Sequence, residues 1–138
     1  MKNIAIILAG GNSKRFGGDI PKQFLVLNEK RIIDYSISTF SINKNISNII
    51  IVCEKNWIDT MKQEYPNYNI VDGGKSRKES SYNGLKACPR DTDNVLIHDS
   101  ARPFISSDII SRCIEALNND KAVNTVIPAV DTLVEIKN

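Results

Sequence analysis

The chain has 138 residues, of which 41% are hydrophobic and 25% charged, with a formal net charge of +2. That length fits one domain, residues 1–138, with a sizeable core, and the composition is ordinary for a soluble globular protein. So small a net charge gives no bulk electrostatic case for nucleic acid or a membrane surface as partner, and any positive field must be local.

The first predicted element is an apolar strand over residues 4–8, with Lys2 the single charge before it. This run is too short for a signal-peptide core with its flanks and far too short to span a bilayer, so a cytoplasmic protein without a membrane partner is expected. Ile33, Ile37 and Phe40 then repeat at helical spacing. A second strand is expected over residues 49–53, followed by a helix carrying Trp57 or Ile58, Met61 and Tyr65. "SRKE", residues 76–79, has the capping-box pattern that opens a helix. A strand over residues 95–97 leads to a helix carrying Ile109, Ile110, Cys113, Ile114 and Leu117, with Ser106, Ser107 and Asp108 as candidate caps. A further strand is expected over residues 123–127, then a strand-like run over 133–136 with no closing helix, which reads as an enzyme cut short.

The strands are rich in Ile and Val and barely alternate, as strands covered on both faces do. Strands alternating with helices imply right-handed βαβ units and an α/β fold: a Rossmann-like, open, mostly parallel sheet with helices on both faces. Cys53, Cys88 and Cys113 are odd in number and form no CxxC pair. They fit a reducing compartment and a packing role.

Open α/β sheets bind ligands outside the carboxyl ends of their strands, and three stretches of unusual composition fall there. In "ILAGGNSKRFGGDIPKQ" the first strand runs into Ala9, Gly10 and Gly11, whose bare backbone can approach an anion. Arg15, as a planar fork, and Lys22, as a compact charge behind Pro21, could neutralise phosphate oxygens. The same residues also fit a tight βα turn with solvated lysines, and neither P-loop nor GxGxxG spacing is present. In "DGGKSRKES" two glycines precede a capped helix start, where anions are favoured and where Arg77 and Ser80 could reach a ligand. An ordinary turn and cap with surface charges accounts for it as well. In "VLIHDSARPF" a strand delivers Asp99, which could ligate Mg²⁺ beside substrate phosphates, and Arg102 is directed by Pro103. His98, the only histidine, reads as a hydrogen-bonded structural residue rather than a base. "AVDT" adds Thr132 after another predicted strand, equally readable as a strand-ending turn.

Together, "LAGGNSKRF…PKQF", "DGGKSRKES", "HDSARPF" and "PAVDT" resemble, in order and spacing, the cytidylyltransferases that act on sugar-alcohol phosphates, namely 2-C-methyl-D-erythritol 4-phosphate and ribitol-5-phosphate cytidylyltransferases. The resemblance covers essentially the whole chain. It implies a fold of the nucleotide-diphospho-sugar transferase type and transfer of CMP from CTP to a polyol phosphate, with release of pyrophosphate, in isoprenoid or cell-surface polysaccharide synthesis. It further implies that Ala9, Gly10 and Gly11 cradle the triphosphate and that Arg15 and Lys22 stabilise the transferring phosphoryl group. Gly74, Arg77 and Ser80 would lie near the nucleoside, Asp99 would bind Mg²⁺ or another divalent cation, and Arg102 would be its structural or substrate-side companion. Thr132 would help hold the acceptor's phosphate. Family members continue beyond this chain's last residue, and a homodimer is implied for the full-length form. "LAGG", Trp57 and Val134 depart from the methylerythritol pattern toward the ribitol group, so ribitol 5-phosphate is the slightly favoured acceptor. Rival readings are an inactive fragment or module that binds a nucleotide without turnover, and a dinucleotide-dependent oxidoreductase. The oxidoreductase is disfavoured because the first turn lacks GxGxxG and Glu54 falls too far along the chain for the acidic residue of that fold.

Overall fold

A computed structural model describes residues 1–11 and 20–128. Strands β1 (Asn3–Ala9), β4 (Asn48–Cys53), β5 (Asn69–Asp72) and β6 (Asn94–Asp99) form one sheet, and short strands β2 (Val26–Leu27) and β3 (Lys30–Arg31) form a hairpin. The helices are α1 (Ile32–Ile42), α2 (Ile58–Glu64), α3 (Arg77–Lys86) and α4 (Ser107–Ala116). The sheet order is β5-β4-β1-β6 and every pairing is parallel, with Ala5 opposite Ile49 on one side of β1 and Leu96 on the other.

Every residue of β1 is buried, and its side chains divide between two cores because successive residues of a strand face opposite ways. Ala5, Ile7 and Ala9 join Ile49, Ile51 and Cys53 beneath Ile33, Ile37 and Phe40 of α1, Met61 of α2, and Ile110 and Ile114 of α4. Ile4, Ile6 and Leu8 join Ile50 and Val52 on the other face, with Ala87 and Cys88 packed beside them. That second face is covered by α3, whose Gly84 sits so close that a Cβ there would lie 2.6 Å from the Ile6 Cγ2. The Rossmann-like reading therefore holds, with helices on both faces.

The serine caps form as predicted, while Glu79 accepts the Lys75 N–H and not the Ser76 N–H of a full capping box. Ser76 and Ser106 accept hydrogen bonds from the backbone N–H of Glu79 and Ile109 and so open α3 and α4. One expected strand does not form: residues 122–128 carry no regular structure, and Val126 and Ile127 are largely exposed. An apolar run needs a neighbouring strand to satisfy its backbone, and no strand among the described residues pairs with this one. The run at 133–136 lies outside the described residues. No helix among the described residues is long and apolar enough to cross a membrane.

Candidate functional site

The sheet order creates a switch point. From β1 the chain goes first to β4 on one side, and the later β6 returns to the other side. Loops leaving the carboxyl ends of β1 and β6 therefore diverge and leave a crevice. A cavity of about 970 Å³ opens there, and Gly10, Gly11, Lys22, Arg77, Ser80 and Asp99 line it together with Ala9, Gly74 and Arg102. Three stretches far apart in sequence thus meet in one place. A smaller cavity of about 330 Å³ adjoins it toward the ends of β4 and β5, sharing Gly10, Glu54, Gly74 and Lys75 and adding Asp72 and Gly73. Arg15 and Thr132 lie outside the described residues.

The turn after β1 and the start of α3 are built against each other. A Cβ on Gly10 would lie 3.1 Å from the Ser80 Oγ and 3.7 Å from the Gly73 Cα. Gly73 continues β5 by donating its N–H to the Cys53 carbonyl at 2.8 Å. The buried Ser80 Oγ accepts the Gly74 N–H at 2.9 Å, and the Glu79 carboxylate accepts the Lys75 N–H at 2.8 Å. These bonds fix the glycine loop as the approach to the helix and set Arg77 in the first turn of α3, its side chain directed at the end of β6.

Asp99 stands opposite Leu8, and the ladder runs one residue further through a bond from the Ser100 N–H to the Leu8 carbonyl at 3.0 Å. The Asp99 carboxylate accepts from the Arg77 Nε at 3.0 Å, and its other oxygen lies 3.7 Å from the Arg102 Nε. Both arginine side chains are mostly exposed, at 64% and 79%, so these pairs are weakly held. His98 is buried behind them, its Nε2 within 3.1 Å of both the Arg102 carbonyl and the Ser36 Oγ. A carbonyl only accepts, so Nε2 carries the proton in that bond. Burial pushes the imidazole pKa below its ordinary value, against the raising effect of the Arg102 carbonyl bond. His98 is thus a neutral clamp on the loop that carries Arg102, as the structural reading expects.

No three His, Cys, Asp or Glu side chains gather into a metal cluster among the described residues. Asp99 is one carboxylate held by arginines. That donor set suits a divalent cation arriving with phosphates that complete its shell, the usual habit of Mg²⁺, and it does not suit a dedicated protein cage.

Gln23 went unassigned in the sequence, although "PKQF" contains it. It is buried, at 2% exposure, and its Nε2 donates to the carbonyls of Ala9 and Gly11 at 2.7 and 2.8 Å. Its neighbour Phe24 stacks on Trp57, ring centroids 3.8 Å apart and 10° from parallel. Trp57 therefore packs the 3-10 turn Lys22–Phe24 against the segment after β4. Glu54 and Lys75 also line the site without having been expected there. Only the tertiary meeting of β4 and α3 with the first turn could have drawn them out.

Fold and site together define a doubly wound α/β domain with a ligand crevice at its switch point, walled by a glycine turn, basic side chains and a single aspartate. The family model of 2-C-methyl-D-erythritol 4-phosphate cytidylyltransferase, IspD, matches residues 3–138, and the chain belongs to that family. It is 42% identical over 143 residues to the 2-C-methyl-D-erythritol 4-phosphate cytidylyltransferase of Clostridium botulinum (strain Langeland), covering 99% of this chain and 62% of that relative. It is 38% identical over 146 residues to the ribitol-5-phosphate cytidylyltransferase of Vibrio parahaemolyticus, covering 99% and 61%. Among solved structures, it is similar to the 4-diphosphocytidyl-2C-methyl-D-erythritol synthase of Anaerococcus prevotii, with a TM-score of 0.86 and 30% identity over 99% of this chain and 59% of that one. The chain therefore spans less than two thirds of the length of these relatives.

Proposed function

We propose that this chain is the nucleotide-binding portion of a cytidylyltransferase that joins CMP from CTP to a polyol phosphate. The observation that carries the reading is the convergence of the glycine turn, Lys22, Arg77 and Asp99 on one crevice at the switch point. In the reaction, a phosphate oxygen of the acceptor attacks the α-phosphorus of CTP in line. The new P–O bond forms as the bond to the β-phosphate bridge breaks, and pyrophosphate leaves. The attacking phosphate is already ionised at neutral pH, so no strong base is required, in keeping with a neutral, buried His98.

Catalysis on this reading is positioning and charge stabilisation. Ala9, Gly10 and Gly11 receive the triphosphate, Lys22 and Arg15 meet the charge that builds on the transferring group, and Gly74, Arg77 and Ser80 border the nucleoside. Asp99 would hold Mg²⁺, which when bound supplies Lewis-acid charge neutralisation to the phosphates. Arg102 and Thr132 are assigned to the acceptor side. The domain is read as the single nucleotidyltransferase domain of a longer, cytoplasmic, homodimeric enzyme.

For the acceptor, the stronger relatives favour 2-C-methyl-D-erythritol 4-phosphate, and the preference for ribitol 5-phosphate drawn from the sequence gains no support from them. Trp57, one of its grounds, is occupied in stacking on Phe24. The ribitol reading retains the Vibrio parahaemolyticus relative and Val134, which lies outside the described residues.

Calorimetry with CTP, in Mg²⁺ and in EDTA, tests the site. The wild type should bind more tightly with Mg²⁺, whereas Asp99→Asn should bind equally in both. Equal binding by the wild type would remove the metal role from Asp99. In a longer form carrying the rest of the enzyme, Lys22→Ala should lower turnover by roughly 10²–10³, the range for losing one charge-stabilising donor, with a far smaller change in CTP binding. Turnover measured with both polyol phosphates in parallel decides the acceptor.

A further inference from the structure

We propose that Gln23 is a positioning residue for the glycine turn, acting as a clamp that presets the turn for a polyphosphate and ties it to Lys22. The inference rests on the CTP reading and deepens it. One side-chain amide nitrogen carries two hydrogens, and both are used here: one goes to the Ala9 carbonyl at 2.7 Å and the other to the Gly11 carbonyl at 2.8 Å. The two carbonyls lie at either end of the Gly10–Gly11 segment.

Three consequences follow from that geometry. Carbonyl oxygens are the negative ends of peptide dipoles, and two of them left unpaired beside a polyphosphate would repel it; Gln23 engages both. A trans peptide carries its C=O and the next N–H in opposite directions, so fixing the Ala9 carbonyl on Gln23 turns the Gly10 N–H away from Gln23. Glycines restrain their own backbone least of all residues, so an external clamp lowers the ordering entropy that a phosphate ligand must otherwise overcome.

The clamp is itself anchored. Gln23 lies in the 3-10 turn Lys22–Phe24, which Phe24 fastens to Trp57. Lys22, one residue before Gln23, lines the same cavity as Gly10 and Gly11. A single buried amide thus sets the register between the cation and the backbone turn.

Replacement by glutamate turns the clamp into a titratable one. A protonated carboxyl at this position donates one of the two bonds. An ionised one donates neither and faces two carbonyl oxygens. Burial and those oxygens raise its pKa above the ordinary glutamate range. CTP binding to this chain is measured by calorimetry from pH 5.5 to 8 for wild type, Gln23→Glu and Gln23→Met, with the Gly10 and Gly11 amide resonances followed by NMR and melting checked at each pH. The ratio of Gln23→Glu to wild-type Kd should grow from within about threefold at low pH to about tenfold or more at high pH, with the glycine resonances titrating in step and the protein still folded. Gln23→Met should be about tenfold weaker at every pH.

A pH-independent ratio for Gln23→Glu with unmoved glycine resonances overturns the proposal. If Gln23→Glu unfolds at high pH, Gln23→Met decides: wild-type affinity in folded Gln23→Met overturns the proposal, and the expected loss supports it. If the wild type binds no CTP, the cytidylyltransferase reading fails, and the glycine resonances of Gln23→Glu alone judge the clamp, titrating if it holds and unmoved if it does not.

Discussion

Gly74→Ala is the substitution whose cost can be worked most directly from the structure. Its backbone does not occupy the left-handed region, so alanine meets no conformational penalty. The obstacle is steric: a Cβ on Gly74 would lie 2.3, 2.4 and 2.6 Å from the Cγ, Cβ and Cδ of Glu79. Glu79 cannot simply swing aside, because its Cβ is fixed to α3 and its carboxylate holds the Lys75 N–H. Relieving the clash breaks that hydrogen bond, worth about 0.5–1.5 kcal/mol, and overpacking adds about 1–3 kcal/mol. The expected loss is therefore about 1.5–4.5 kcal/mol. Glu79→Gly alone forfeits the bond to the Lys75 N–H and some helix propensity, about 1–2 kcal/mol. In the double variant the three clashing atoms are gone and that bond is lost only once, so its cost should equal that of Glu79→Gly. Urea unfolding of wild type, both single variants and the double variant then gives a favourable coupling of about 1.5 kcal/mol or more. Additivity within about 0.5 kcal/mol would refute the argument that Gly74 is glycine to make room for the Glu79 arm.

Two further outcomes concern titratable groups. His98 is held below its ordinary pKa of 6.5, so the unfolded chain takes up the proton first; the stability this group contributes is complete above about 6.5 and is lost as pH falls through the folded-state value. The urea midpoint should drop on acidification in the wild type and drop less in His98→Gln, and parallel profiles would count against His98 as the buried neutral clamp. Burial, reinforced by Asp72 and Glu54, pushes the Cys53 thiol up to about 12, so iodoacetamide at pH 8 should leave it unmodified in the folded protein while the partly exposed Cys88 and Cys113 react; mass spectrometry reads the sites, and equal labelling would contradict the packing role.

The main strands were legible because both-face burial leaves unbroken Ile and Val runs at β1 and β4, and the starts of α3 and α4 because a serine cap is a local signal. β5 was not legible: only Ile70 of its four residues is buried, and it exists because β4 offers it an edge. The β2–β3 hairpin turns on Asn28 and Glu29 at positive φ, and the glutamate gives no turn signal. At residues 123–127 the error ran the other way, since apolar composition was read as a strand with no partner to pair it. In the site, glycines, arginines and the aspartate stood out by type. Gln23 did not, because a buried amide bridging two carbonyls looks in sequence like any polar residue beside a lysine.

The charges around Asp99 explain why one carboxylate could suffice where a cation cage would need several. At rest Asp99 is shared between Arg77 and Arg102, so these three charges are held in mutual neutralisation. Pairs this exposed contribute about 0–1 kcal/mol each, little enough for the substrates' phosphates to displace the carboxylate, those of CTP from Arg77 beside the nucleoside and that of the acceptor from Arg102. On the proposed reading, Asp99 then stands beside a polyanion without its partners, and a divalent cation shared between the two restores the balance. Nucleotide and metal would bind as one unit, each weak alone. The Asp99→Asn titration in Mg²⁺ and in EDTA reads this exchange directly: without the carboxylate the arginines are already released, so CTP should bind in EDTA at least as well as to the wild type. Weaker binding by Asp99→Asn in EDTA would mean that the aspartate holds Arg77 and Arg102 in place for the phosphates and does not compete with them.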